Sequence, residues 1–154
     1  MTDDKAVLVD TNVLLSATAP LRPLHQAALA VLNDWPNQGS VLATSSQVLR
    51  EYLVVATRPV EVNGLGLGVD DALTNVIAFR SRMRLLEDSE AVWDRLRALI
   101  TSYGCVGKQI HDANIVATAL NFGVTKVVTT NVRDFTRFAS EIEVTDLAAI
   151  DPEA

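Results

Sequence analysis

The stretch Ala6-Val7-Leu8-Val9-Asp10 decides the fold class of this chain. Four consecutive apolar residues end at an aspartate, and this pattern predicts a short strand buried on both faces with an acid at its carboxyl end. Strands of this kind belong to parallel sheets whose two faces are covered by helices. We therefore expect the rest of the chain to supply further apolar strands, separated by helices that cross over the sheet.

Short apolar runs and helical patterns alternate downstream of this stretch. Further strands are predicted at 41–43, 84–87, 126–130 and 142–144. Helices are predicted at 23–35, from 45 or 46 to 57, and at 70–83, 89–103 and 111–122. The glycine-containing segment 58–68 is predicted to be a loop. The alternation indicates an α/β fold, a three-layer sandwich in which helices flank a central and mainly parallel sheet.

The composition indicates one globular domain over residues 1–154. The chain is 49% hydrophobic and 21% charged, a balance that is typical of globular proteins. No apolar stretch is long enough to span a membrane, the N-terminus does not resemble a secretory signal, and the lone Cys105 cannot form an intrachain disulfide, so we expect a cytoplasmic protein. The net charge of −6 argues against a protein that coats nucleic acid, but it is compatible with acids concentrated at a metal site.

Three carboxylates stand where apolar residues would be expected. Asp10 ends the first strand, Glu51 shares a helix face with Val48 and Val55, and Asp112 lies in the apolar stripe of its helix. Taken singly, each has a simple structural explanation. The two aspartates would serve as helix caps, and the glutamate would pair with Arg50 or Arg58 in an ion pair.

A fourth element follows the strand predicted at 126–130. Asn131 and Asp134 lie just past its carboxyl end, where a turn or a helix cap would also explain either residue. Together, however, three or four acids converge on one edge of one sheet. Like charges held close together need a cation to stay ionised, and a ligand set of oxygens alone selects Mg²⁺ or Mn²⁺. Such sites activate water for phosphodiester cleavage, so the pattern favours a metal-dependent nuclease.

Four motifs resemble those of the PIN domain family, in the family's order. They are Val9-Asp10-Thr11-Asn12-Val13-Leu14-Leu15, Glu51 in its helix, His111-Asp112-Ala113-Asn114-Ile115-Val116-Ala117, and Thr129-Thr130-Asn131-Val132-Arg133-Asp134-Phe135. The resemblance implies a PIN-like fold and a Mg²⁺-dependent endoribonuclease in which Mn²⁺ can substitute. It implies an acidic centre of Asp10, Glu51 and Asp112, with Asp10 and Asp112 as the surest magnesium ligands and Thr11 in support.

The fourth acid of the family pattern is not matched in full. The position that is often acidic in PIN domains is Asn131 here, so either Asp134 takes its place or the second metal site is incomplete. The chain's size is similar to that of the VapC-type toxins of prokaryotic toxin–antitoxin pairs. That similarity implies a toxin that cuts an RNA needed for translation, a small antitoxin that covers the active-site groove, often with a basic side chain, and a homodimer.

Cleavage of RNA also needs cations that contact phosphate. The candidates are Arg80, Arg82, Arg84 and Arg133, with Arg50, Arg58 and Lys108 also near the acidic motifs. A solvated surface or local ion pairs would explain any one of them equally well. Two other functions remain open at this point. One is an RNA-processing or DNA-directed nuclease that is not a toxin, and the other is a non-catalytic RNA- or protein-binding module that keeps the fold.

Overall fold

The computed structural model describes residues 3–152. Its strands are β1 (Ala6–Val9), β2 (Val41–Ser45), β3 (Arg84–Leu86), β4 (Lys126–Thr129) and β5 (Glu143–Asp146). Its α-helices are α1 (Thr11–Thr18), α2 (His25–Asn33), α3 (Ser46–Thr57), α4 (Val69–Arg82), α5 (Glu90–Tyr103), α6 (Gln109–Asn121) and α7 (Val132–Phe135). The strands form one sheet in the order β3-β2-β1-β4-β5, and every neighbouring pair is parallel.

The predicted three-layer α/β sandwich is confirmed. Parallel crossovers are right-handed, and the chain moves outward from β1 to β3 before it returns past β1 to β4. The helices α1 to α4 therefore cover one face of the sheet, and α5 to α7 cover the other. Contacts agree with this division, since α1 packs on α2 and α3, α3 packs on α4, and α6 packs on α5 and α7.

The first strand is buried because both of its faces are covered. Ala6, Leu8 and Val9 are fully buried in the central strand of the sheet, as its run of apolar residues predicts. Burial of such side chains from water supplies most of the free energy that holds the layers together. Within the part of the chain that the structure describes, no helix is both long and apolar enough to cross a membrane.

Several predicted helix ends are also confirmed. The hydroxyl of Ser45 accepts a hydrogen bond from the backbone N–H of Val48 and caps α3, and Ser89 caps α5 in the same way through Val92. Gly104 ends α5 by adopting a left-handed backbone with φ of 62°.

Other boundaries differ from the prediction for local reasons. Helix α2 begins at His25 and not at 23, because Leu24 has a φ of 68° that an α-helix does not allow. Helix α6 begins at Gln109, whose side chain accepts a hydrogen bond from the N–H of Val106 and so extends the helix beyond its apolar stripe. The short helix α7 follows a strand end that predicted only a turn or a cap.

Tyr52 in α3 connects this helix to α1 and α4 on the same face of the sheet. Its ring is fully buried and packs edge-on against Phe79 of α4. Its hydroxyl forms hydrogen bonds with Thr18 of α1 at 2.8 Å and with Asn75 of α4 at 3.1 Å. These contacts satisfy the one polar atom of the side chain and set the orientation of α3, on which Glu51 is the residue directly before Tyr52.

Candidate active site

The acidic residues meet where the strand order reverses. The chain leaves β1 toward β2 on one side and reaches β4 on the other, so a crevice opens between the carboxyl ends of β1 and β4. Val9 pairs with Val128 in this parallel register, and the residues that follow, Asp10 and Thr129, are therefore neighbours. Ligands bind at such switch points in open α/β sheets.

Asp10 is buried and held by three hydrogen bonds. It is 5% exposed, and its Oδ1 accepts a bond of 2.8 Å from the N–H of Thr11, which caps α1. Its Oδ2 accepts from the hydroxyl of Thr129 at 2.8 Å and from Nδ2 of Asn12 at 3.2 Å. Burial raises the pKa of Asp10, the hydrogen bonds oppose that rise, and the charge of Glu51 adds to it. The capping role and a place in the acidic cluster thus belong to the same residue.

Glu51 is held by neutral donors. The hydroxyl of Thr11 donates to its Oε2 at 3.0 Å, and the amide of Gln47 donates to its Oε1 at 2.9 Å. Across residues 3–152 the structure shows no ion pair between Glu51 and a basic side chain, so the simple explanation by Arg50 or Arg58 does not hold.

Asp112 lies at the centre of the acidic cluster. Its pKa is raised to about 7, first by burial and then by the negative charges of Asp134, Asp10 and Glu51, while Arg137 opposes the rise. No residue that the structure describes donates a hydrogen bond to this carboxylate. Asp112 stands in the first turn of α6, inside the helix, so it is not the N-cap that its sequence position also allowed. Its oxygens are therefore open to a ligand.

Asn131 and Asp134 are the two candidates for the fourth acidic position, and only Asp134 places a negative charge near Asp112. Asp134 in α7 is exposed, and its charge raises the pKa of Asp112 more than that of any other acid. Asn131 precedes α7, and its backbone N–H donates to the hydroxyl of Thr129 at 3.0 Å, but its side chain does not cap the helix. Asn131 thus shapes the turn, and Asp134 contributes the negative charge.

Comparison with known proteins agrees with this geometry. The model of the PIN domain family matches residues 7–141.

The chain belongs to the PIN domain family.

Three solved structures show the same fold. VapBC-1 from nontypeable Haemophilus influenzae is 20% identical, with a TM-score of 0.64 over 93% of this chain and 98% of that one. A toxin–antitoxin complex from Klebsiella pneumoniae is 23% identical, with a TM-score of 0.65 over 94% and 99% of the two chains. Mycobacterium tuberculosis VapC20, described as a sarcin–ricin loop cleaving toxin, is 16% identical, with a TM-score of 0.63 over 88% and 95%. No curated protein sequence gives a significant match.

The PIN site contains polar residues that sequence reasoning did not single out. Asn12 bridges the two central strand ends, donating to Thr129 at 3.2 Å and accepting from the N–H of Thr130 at 2.9 Å. Gln47 and Asn114 link α3 to α6. Aligning the predicted ends of β1 and β4 would have placed Thr129 beside Asp10, whereas no sequence pattern indicates the link between α3 and α6.

The predicted phosphate-binding arginines divide between the two edges of the PIN sheet. Arg133, in α7, lies exposed at the acidic edge. Arg84 begins β3 at the opposite edge, where it pairs with Asp3 at 3.9 Å and lies over the ring of Phe122.

The other two arginines lie on α4, which runs away from the acidic edge. Arg82 donates to the carbonyl of Leu32 at 2.8 Å and to the side chain of Asn33, and Arg80 is exposed in the last turn. The structure therefore does not bring Arg80, Arg82 or Arg84 to the acidic cluster. Instead it places Arg137, which sequence reasoning missed, close enough to act on Asp112.

The donor set fits a hard divalent cation. The cluster offers carboxylate oxygens only, and the mutual repulsion of its charges would be relieved by a cation. Among residues 3–152, no three acidic, histidine or cysteine side chains form a ready-made metal-binding group. Mg²⁺ does not require one, since it commonly keeps several waters and binds through one or two carboxylates. In this PIN site, Asp10 and Asp112 are two carboxylates that could hold such an ion.

Proposed function

We propose that this chain is a Mg²⁺-dependent endoribonuclease and the toxin of a toxin–antitoxin pair. The observation that carries the proposal is the environment of Asp112, whose carboxylate lies among three other acids and receives no hydrogen bond from any of residues 3–152. A structural carboxylate would be paired or hydrogen bonded, because an unpaired charge in a partly buried position destabilises the fold. Acids that raise one another's pKa are typical of functional sites.

Each residue of the cluster has a distinct task in this proposal. Asp10 and Asp112 would hold the cation, with Glu51 beside them, and Asp134 would complete the negative cluster. A bound Mg²⁺ supplies Lewis-acid chemistry, which makes water a better nucleophile and stabilises charge on the phosphate oxygens. Asp10 is kept in one orientation by its three hydrogen bonds, so the site is ordered before substrate arrives. Arg133 would bind a phosphate of the substrate.

RNA is the substrate class that we infer. The similarity in fold to VapC20, described as a sarcin–ricin loop cleaving toxin, supports this choice. We place the activity in the cytoplasm, where the buried thiol of Cys105 stays reduced. The other two possibilities, a nuclease that is not a toxin and a non-catalytic binding module, become outcomes of the experiment below.

An antitoxin is the partner that we propose for the cleft beside Glu51. This cleft of about 310 Å³ is lined by apolar side chains of Val54, Leu96 and Ile110 and by the polar side chains of Gln47, Arg50, Glu51, His111 and Asn114. An antitoxin segment with an apolar anchor followed by Lys or Arg would fill the apolar part of the cleft and place its cation beside Glu51. The structurally similar proteins include complexes described as toxin–antitoxin or VapBC assemblies, which supports this choice of partner.

A second copy of the chain is the partner that we propose for the outer face of α4. Asp70, Leu73, Ile77 and Arg80 follow one another at helical spacing, and the two apolar side chains are 43% and 69% exposed. If two α4 helices pack antiparallel about a two-fold axis, Leu73 meets Ile77 and Asp70 meets Arg80 of the other copy. The stripe is thus complementary to itself in shape and charge, as an isologous interface requires.

The test is cleavage of total cellular RNA by purified protein. We expect discrete fragments with Mg²⁺, and no fragments with EDTA or with the variants Asp10→Asn and Asp112→Asn. Asp34→Asn, which makes the same chemical change at the exposed end of α2, should cut like the wild type.

Other results would each contradict part of the proposal. Cutting that persists in both site variants would show that this site is not responsible. RNA binding without metal-dependent cutting would identify a binding module, and preferred cutting of single-stranded DNA would identify a DNA-directed nuclease. Cleavage without growth arrest on expression would remove the toxin role but keep the activity.

A further inference from the structure

Gln47 is a buried amide that joins the two helices carrying Glu51 and Asp112. Its side chain is 5% exposed in the first turn of α3. The amide nitrogen Nε2 donates to Oε1 of Glu51 at 2.9 Å and to the main-chain carbonyl of His111 at 3.1 Å. The amide oxygen Oε1 accepts from Nδ2 of Asn114 at 2.7 Å. Both N–H groups and the oxygen of this side chain are therefore used.

The chemistry of the partners fixes which end of the Gln47 amide faces which group. A carboxylate and a backbone carbonyl can only accept hydrogen bonds, so the nitrogen must face Glu51 and His111. Turning the amide by 180° would place its oxygen against Oε1 of Glu51 and the carbonyl oxygen of His111, and the three oxygens would repel one another. A side chain with a single donor at this position would leave one of the two acceptors without a hydrogen bond. Because the position is buried, that missing hydrogen bond would destabilise the fold.

The contacts of Gln47 cross from one face of the sheet to the other. Helix α3 packs on one face and α6 on the opposite face, and their first turns approach each other at the acidic edge. The carbonyl that Gln47 binds belongs to His111, the residue directly before Asp112. The hydroxyl of Thr11 holds the second oxygen of Glu51. The Glu51 carboxylate is thus fixed on both sides, and one of its two anchors also fixes the turn that bears Asp112.

A neutral donor suits this position better than a cation. Glu51 and Asp112 repel each other, and the repulsion favours a wider separation of the two helices. Gln47 opposes that separation with hydrogen bonds but leaves the negative charge in place for a ligand. A lysine at the same position would neutralise Glu51 and compete with a bound cation.

We propose that Gln47 is a positioning residue of the cation site, a role that rests on the proposed metal-dependent cleavage. Its amide holds the Glu51 carboxylate at a fixed distance from the turn of α6, so the acids do not have to be ordered when the cation binds. Residues that orient metal ligands in this way typically change metal affinity or activity by about 10–100-fold when they are replaced.

The test uses Gln47→Met, which keeps the length of the side chain and removes its hydrogen bonds. Gln26→Met, at an exposed position of α2, is the matched control. Mn²⁺ binding in the absence of RNA is measured by electron paramagnetic resonance, and the Mg²⁺ concentration for half-maximal RNA cleavage is measured in parallel. We expect Gln47→Met to raise the Mn²⁺ dissociation constant and the Mg²⁺ midpoint by about tenfold or more, with cleavage recovering at saturating Mg²⁺. The control should change neither.

A merely structural role predicts a different result. It would lower the thermal midpoint of Gln47→Met and leave the Mn²⁺ affinity of the folded protein unchanged, and that outcome overturns the positioning role alone. A wild-type protein that neither binds Mn²⁺ nor cleaves RNA overturns the proposed function together with this role. Asn114→Ala removes only the partner of the amide oxygen and should weaken Mn²⁺ binding by a smaller factor, which gives a second test in a variant with a milder effect on folding.

Discussion

The hydroxyl of Thr129 donates a hydrogen bond of 2.8 Å to Oδ2 of Asp10, and this bond joins residues that are 119 positions apart in the chain. Thr129 is the last residue of β4, and Asp10 directly follows the neighbouring strand β1. Thr129 is fully buried, and its oxygen also accepts hydrogen bonds from Asn12 and from the backbone N–H of Asn131. One hydroxyl therefore ties both central strands and the turn after β4 to the carboxylate that we place at the metal.

Replacing Thr129 by Val tests this link. Valine keeps the shape of threonine but cannot donate to Asp10, so we expect unfolding free energy to fall by about 1.5–3 kcal/mol, the range for a hydrogen bond to a charged group. Cleavage of RNA should fall as well, because Asp10 loses one of its three donors. Thr129→Ser keeps the hydroxyl and should retain most of both. Urea unfolding and cleavage rates measure the two effects, and equal losses in the Val and Ser variants would argue against the hydrogen bond.

The metal-free protein should lose stability as the pH rises. The pKa of Asp112 is raised from 3.8 to about 7 in the folded chain, so the folded state binds more protons than the unfolded state between about pH 4 and 7. The free energy of unfolding therefore falls across this window, and the raised pKa of Asp10 acts in the same direction. In EDTA, the thermal midpoint should be higher at pH 5 than at pH 8.

Two controls separate the titration of Asp112 from a general effect of pH on stability. Asp112→Asn cannot titrate at this position and should show a flatter profile between pH 5 and 8. Mg²⁺ stabilises the ionised carboxylates and should also flatten the profile of the wild type. A midpoint that rises steadily from pH 5 to pH 8 in EDTA would contradict the raised pKa.

Replacing Asp134 by Asn should lower the pKa of Asp112. After burial, the charge of Asp134 is the largest cause of the raised value, so its removal brings the pKa closer to that of an ordinary aspartate. Carbonyl-carbon NMR titration of Asp112 in metal-free protein measures the shift. If Asp134 also contributes to cation binding, cleavage should fall by about tenfold at limiting Mg²⁺. Asp34→Asn makes the same chemical change at the exposed end of α2, and because Asp34 is not among the charges that shift the pKa of Asp112, the titration of Asp112 should not change.

Two buried threonines should respond to valine in opposite ways. The hydroxyl of Thr44 is buried in β2 without a hydrogen-bond partner among the described residues, whereas that of Thr118 donates to the carbonyl of Asn114 at 2.7 Å. Thr44→Val removes an unsatisfied polar group and should stabilise the fold by about 1 kcal/mol, or about 2–4 °C. Thr118→Val should destabilise it by a similar amount. Calorimetry checks both signs, and a Thr44→Val protein that melts lower would point to a partner for this hydroxyl.

The proposed two-fold contact between α4 helices predicts a change in oligomeric state. Ile77→Glu places two charges in the apolar stripe of a symmetric pair, one from each copy, and should raise the dimer dissociation constant by about 100-fold or more. Light scattering after size-exclusion chromatography measures the change. Exchanging the charges, with Asp70→Arg and Arg80→Asp in one chain, should restore dimers that either single change weakens. A wild-type chain that is monomeric at high concentration would exclude this interface.

Sequence patterns predicted the fold well because the central strand β1 is apolar and short. The run from Ala6 to Val9 can only be a doubly buried strand, and the acid after it must lie at the carboxyl edge of the sheet. The same reasoning brings Asp112 and Glu51 to that edge. The hydrogen bonds that hold these acids were not predictable, since the pair Gln47 and Asn114 is 67 positions apart and neither residue stands out in composition.

The pattern of charges in the sequence did not predict which edge of the sheet each arginine reaches. Arg82 and Arg84 are separated by one residue, a spacing that would suit a row of contacts to phosphate groups. Because α4 runs antiparallel to the strands, its end lies far from the acids, and Arg82 binds the carbonyl of Leu32 instead. The sequence offered a helix cap and a place in the acidic cluster as alternative explanations of Asp10, and the structure gives it both roles. A local pattern does not show that one residue can do both.

The strand order has a consequence for how this protein is made. The central strand β1 is synthesised before the other four strands, but Thr129 of its neighbour β4 comes 119 residues after Asp10. At about 5–20 residues per second, the ribosome needs several seconds to connect the two. During that time Asp10 has no Thr129 beside it, and Asp112 and Asp134 are not yet in place. The nuclease that we propose is therefore inert during this part of its translation, and it becomes able to cut RNA only after β4 and the helix that follows it have been made.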